Sequence, residues 1–224
     1  MSRILEVIEH PVAELDHDTL AARLKSDISR TGIPSLHELI LMARENMRPR
    51  AVFNAAYVGE KEAGTAEVAG VTFASPILRR NLDGANKVFP YILTIGPELE
   101  RAAAEQGDLL KQYYLEEIAN YALEQAADWL ARHLEEQYGV GGLSSMSPGS
   151  LEDWPITEQA KLFSIFGDTE KLIGVRLTES LLMVPRKSIS GIFFPSEEGF
   201  VACQLCDRES CPGRKAPYQA AGSR

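Results

Sequence analysis

The chain has 224 residues, 45% hydrophobic and 25% charged, a balance typical of a folded protein long enough to bury its own core. A net charge of -9 leaves it without the basic footprint that nucleic acid requires. No run approaches the ~20 apolar residues of a membrane-spanning helix, and acidic residues break the opening MSRILEVIEHPVAELDHD as they would not break a secretory signal. A cytoplasmic protein is expected, with no nucleic-acid and no membrane partner.

In chain order, apolar residues at three-four spacing predict amphipathic helices over Leu20–Ile28 and Leu36–Met47. Ser35 and Glu38 open the second with a capping-box pattern. AVFNAAYV (Ala51 to Val58) and VAGVTFAS (Val68 to Ser75) read as two strands of a hairpin with a longer loop. KVFPYILTIG reads as a buried strand. A helix follows it behind Pro97, with Glu98 and Glu100 at the positive end of its dipole.

The strongest signal runs from about Leu109 to Tyr138 without glycine or proline, and Gly139 is its natural stop. Leu115, Ile118, Ala119, Ala122, Ala126, Trp129 and Leu130 share one stripe of that helix, its alanines allowing close approach. GVGGLSSMSPGS then reads as a loop, and PITEQAKLFSIFG as a short helix capped near Pro155 to Thr157. LIGVRLTES and KSISGIFF read as strands joined by LLMVPR. The elements are interspersed without regular strand-helix alternation, which predicts an α+β fold with a largely antiparallel sheet and a long central helix.

All three cysteines, Cys203, Cys206 and Cys211, fall within nine positions at the spacing C-x2-C-x4-C. Thiols stay reduced in the cytoplasm, so an odd cluster there reads as a metal site. Soft thiolates favour zinc or an iron-sulfur cluster, and a structural zinc usually takes four protein ligands. Three thiolates would hold either a four-iron cluster with one iron left open or a zinc completed by Asp207, Glu209, water or a partner. The plainer reading is a reduced thiol cluster in a tail. Ser145 to Ser150 (SMSPGS) would suit a close backbone approach to a ligand or a simple connector, and Glu124 and Glu179 read as solvated carboxylates by default. Gly-x-Ser-x-Gly is absent and GVGGLSS lacks a phosphate-loop lysine, which disfavours hydrolase, kinase and dehydrogenase chemistry.

The run IGVRLTESLLMVPRKSISGIFFPSEEGFVA resembles the C-terminal activation (reactivation) domain of cobalamin-dependent methionine synthase. SPGSLEDWPITEQAKLF, TIGPELE and EIANYALEQAADWLARHLEE match the loop, strand and long helix upstream. The resemblance covers about residues 88 to 202 and is most specific over Leu177 to Gly191. It implies a helmet-like domain that binds S-adenosylmethionine and docks on a cobalamin-bearing domain during reductive remethylation of cob(II)alamin. By position, Glu124 falls on the family's ligand-binding glutamate. Ser145, Ser147, Pro148, Gly149 and Ser150 fall on its Arg-x-x-Pro-Gly-Tyr ligand loop, with Ser145 at the arginine and Ser150 at the tyrosine.

The expectation is therefore an activation-domain-like unit over residues 1–200 followed by a cysteine-rich tail over 201–224. The implied role is a stand-alone reactivation protein for methionine synthase or another corrinoid methyltransferase, with cobalamin carried by the partner. Cys203, Cys206 and Cys211 would hold an iron-sulfur cluster or zinc. The alternative is a non-catalytic scaffold that binds a corrinoid protein and holds a structural zinc or iron-sulfur site.

Overall fold

A computed structural model describes residues 4–9, 15–24, 35–196, 199–206, 208, 210 and 214–218. Seven strands form the main sheet: β1 (Ile4–Glu9), β2 (Arg50–Glu62), β3 (Thr65–Val68), β4 (Val71–Ala74), β5 (Lys87–Thr94), β6 (Leu143–Met146) and β9 (Ser188–Pro195). Their order is β4-β3-β2-β5-β9-β6, with β1 also on β2 and every ladder antiparallel. The separate pair β7 (Arg176–Leu177) and β8 (Met183–Val184) forms a two-stranded ribbon. The helices are α1 (His17–Leu24), α2 (Leu36–Asn46), α3 (Pro76–Asn81), α4 (Glu98–Ala104), α5 (Leu109–Tyr138), α6 (Gln159–Ser164) and α7 (Thr169–Ile173). The α+β class, the antiparallel sheet and the long helix are as expected.

Both faces of the sheet are covered, which is why β5 reads as an unbroken apolar run. On one face Phe53, Phe89, Tyr91, Leu93 and Phe193 meet Ala126, Leu130 and Leu134 of α5. On the other, Val52, Val88, Ile92, Ile192 and Phe194 pack with Trp154, Leu162, Phe163 and Phe166. The first half of α5 closes a third cluster with α1, α2 and α4, using Leu115, Ile118, Ala119 and Ala122 of the expected stripe. Gly139 ends α5 with φ of 61°, a left-handed cap that glycine adopts without penalty. Ser35 and Glu38 form the expected capping box of α2. The expected helix over Leu20–Ile28 is seen as α1 to Leu24; its remainder lies outside the described residues.

Four expectations are corrected. VAGVTFAS is not one strand: Ala69 (φ 55°) and Gly70 (φ 79°) turn it into the β3–β4 hairpin. β2 accordingly pairs with β3, and with β1 and β5 at its other end. The stretch read wholly as loop contains β6, because its four residues gain a ladder with β9. Leu172 and Ile173 are helical, since Asp168 caps α7 through Lys171 N and Gly174 ends it. Thr178 to Leu182 form a turn, with the Thr178 amide donating to the Leu182 carbonyl at 2.8 Å, so the expected strand is only β7.

Ionic contacts tie the entry of β9 to the helices. Lys187 Nζ lies 2.6 Å from Glu116 Oε2 and donates to Asn120 Oδ1 at 2.7 Å. Arg186 pairs with Glu100 and, at 2.7 Å, with Glu116. Burial alone would push the Glu116 carboxyl up, but the Lys187 hydrogen bond and the charges of Lys187 and Arg186 outweigh it and hold its pKa below the ordinary value. A carboxylate lowered in the folded state stabilises above its unfolded value, and that contribution disappears as pH falls through the lowered one. Stability is therefore expected to decline as pH drops below the ordinary glutamate value of 4.5. Urea titrations of Glu116→Gln should show a shallower decline there; an identical pH slope would refute the assignment.

Candidate functional site

The predicted ligand loop starts on β6, whose position at the sheet edge is set by the Met146–Ile192 and Leu143–Pro195 register with β9. Ser145 faces the α5 side, and its hydroxyl lies 3.0 Å from the Tyr91 hydroxyl. Tyr91 is stacked on Phe193 with centroids 4.1 Å apart, and burial pushes its phenol up, opposed by the neighbouring Ser145 and Ser147 hydroxyls. The chain then crosses Gly191: a Cβ there would strike the Met146 carbonyl and come within 2.9 Å of Ser147 Oγ.

Beyond that crossing, Pro148 is buried and Gly149 and Ser150 are exposed. The Ser150 hydroxyl and amide both donate to the Ser147 carbonyl, at 2.6 and 3.2 Å. Gly149 has φ of 81° and donates its amide to the Trp154 carbonyl at 2.6 Å. Ile156 blocks any side chain at Gly149, with Cδ1 2.9 Å from where a Cβ would sit. The loop is thus a fixed turn, anchored by fully buried Trp154, which meets Phe73 edge-on at 6.0 Å. Its hydroxyls are neutral, and those of Ser145 and Ser150 already have partners within the protein.

Glu124 lies one turn beyond Asn120 on α5. Its Oε2 accepts from Arg23 Nη2 of α1 at 2.7 Å, so it is not the solvated carboxylate of the default reading. Glu179 is exposed in the turn before β8. Among the described residues, no hydrogen bond or ion pair joins Glu124 to Ser145, Ser147, Pro148, Gly149 or Ser150.

The cysteine segment starts against the same loop. Val201 forms a parallel bridge with Ser145, and Ala202 and Leu205 pack against the core. Cys203 and Cys206 are half-buried free thiols around the 3-10 turn Ala202–Gln204. Arg214 gathers the backbone there, donating to the carbonyls of Cys203 and Cys206 at 2.7 Å and of Arg208 at 2.9 Å. The Lys215 amide points at Cys203 Sγ, 3.5 Å away. Cys211, Asp207 and Glu209 lie outside the described residues. Among those described, no group of three or more His, Cys, Asp or Glu side chains is placed to hold a metal.

Against this geometry, the family model described as "Vitamin B12 dependent methionine synthase, activation domain" matches residues 99–209. The chain belongs to that family. Among solved structures, the fold is similar to the crystal structure of the MetH reactivation domain bound to AdoHcy, with TM-score 0.62 and 16% identity. That match covers 88% of this chain and 81% of the other. No curated protein matches.

The activation-domain match takes in α5, the β6 loop, β9, Cys203 and Cys206. Tyr91 lies before it, and sequence reading missed this residue because its place beside Ser145 follows from two strand registers with β9. Arg23 was missed for a similar reason: an arginine on a short amphipathic helix gives no sign of which carboxylate it will meet. Arg214 carried no signal beyond its position after the cysteines.

Proposed function

We propose that this activation-domain protein acts in trans on a corrinoid-bearing partner, either methionine synthase or another corrinoid methyltransferase, and supports reductive remethylation of its cobalamin with S-adenosylmethionine. The observation that carries the reading is the family match over residues 99–209, which includes both Glu124 and the Ser145–Ser150 loop. In this reading the cobalamin is carried by the partner, and the activation-domain residues of this chain dock against it.

The retained loop fits an S-adenosylmethionine site in its backbone: Pro148 is buried beneath a fixed turn that presents Gly149 and Ser150 at the surface. Glu124 would accept the ligand ammonium, and the loop from Ser147 to Ser150 would line the site, while Ser145 stays engaged with Tyr91. Serine at positions 145 and 150 supplies neither a cation nor an aromatic wall. When bound, S-adenosylmethionine supplies the methyl group. The chain's own residues bind it and hold it against the partner.

Cys203, Cys206 and Cys211 are proposed to bind a metal, an iron-sulfur cluster or zinc, in a tail whose first residue adjoins the ligand loop at Ser145. Anaerobic metal analysis with an optical spectrum separates the two readings of this tail. Iron with labile sulfide supports one-electron delivery to cobalt; stoichiometric colourless zinc favours the scaffold alternative, in which the protein only holds its partner. Metal-free protein would remove both metal assignments. For the function as a whole, the protein should retain a corrinoid protein from the same cell in a pull-down, and failure with every corrinoid protein tested would refute it.

A further inference from the structure

Arg23 and Glu124 are joined at 2.7 Å, with 39% and 30% of their side chains exposed. The guanidinium carbon stands 4.7 Å from the centre of the Tyr121 ring, and Tyr121 is itself buried. A planar cation held over an aromatic face keeps its orientation with little further entropy loss. With the described residues the guanidinium makes only the Nη2 hydrogen bond to Glu124 Oε2, which leaves Nε and Nη1 donors and the second carboxylate oxygen for another molecule. A partly exposed ion pair contributes little to stability by itself, so its value as a helix tether is small. The loop offers only neutral hydroxyls, so this pair is where the site's residues carry formal charge.

We propose that Arg23 and Glu124 form a clamp for the zwitterionic head of an α-amino acid, the guanidinium taking the carboxylate and Glu124 the ammonium. The inference rests on the S-adenosylmethionine reading above and adds Arg23, which lies before the family match, to the binding residues. Adjacent opposite charges on the protein complement the adjacent opposite charges carried by one carbon of the ligand. The bidentate fork of arginine suits a carboxylate in a way that a lysine ammonium does not.

The test is calorimetric titration of the full chain with two probes, S-adenosylhomocysteine and methylthioadenosine, which shares the nucleoside and sulfur but has no amino-acid head. Arg23→Gln should weaken S-adenosylhomocysteine by about tenfold or more, the scale of a lost charge-assisted pair, and leave methylthioadenosine within about twofold. Arg23→Lys should fall between Arg23→Gln and the native protein. Native-like S-adenosylhomocysteine binding by Arg23→Gln overturns the clamp alone, as does equal weakening of both probes. If the native protein binds neither probe at millimolar concentration, the S-adenosylmethionine reading fails and the clamp fails with it.

Discussion

Replacing Gly191 with alanine is expected to lower the melting temperature by about 6–12 °C, the equivalent of ~3 kcal/mol in a chain of this size. The glycine is needed for space rather than for an unusual backbone angle. Its missing Cβ leaves room for the Met146 carbonyl, for Ser147 Oγ at 2.9 Å and for Tyr91 Cε1 at 3.2 Å. The carbonyl cannot retreat without breaking the β6–β9 ladder, and Tyr91 is held against Phe193. An added methyl must therefore lift the chain at Met146 and Ser147, displacing the start of the ligand loop. Thermal unfolding followed by circular dichroism checks the result, and a shift under about 2 °C would show that the crossing tolerates a side chain.

Trp154→Ala is expected to cost about 4 kcal/mol, in the range for emptying a fully buried large aromatic site. The indole is completely inaccessible, meets Phe73 edge-on, and belongs to the cluster holding Leu162, Phe163 and Phe166 against the sheet. Its carbonyl receives the Gly149 amide, so the cavity opens directly beneath the loop. Urea denaturation should show a lower midpoint with an unchanged slope. Trp154→Phe should lose much less, because it keeps a ring near Phe73 and deletes an indole N–H that has no described partner. Equal losses in the two variants would refute the packing explanation.

Some of this was legible before any coordinates. The bounds of α5 followed from thirty residues without glycine or proline and a left-handed stop, all local properties. The strand at Lys87–Thr94 was legible because burial on both faces makes Val88 to Leu93 a run without a charged residue. The motif ending at Gly191 pointed to the activation-domain family, whose model the chain matches. By contrast, β6 has four residues, two of them serines, between glycines and a proline, and only its ladder with β9 makes it a strand. The short α7 was obscured by the apolar residues Leu172 and Ile173, which suit a strand equally well.

Local pattern thus settled α2 and α5, the buried central strand and the family. Which side chains meet was decided by folding. Tyr91 reaches Ser145 across 54 positions of sequence, and Arg23 reaches Glu124 across 101. Capping and periodicity act within a few residues, whereas such pairs depend on strand register and helix packing, which the whole chain fixes together.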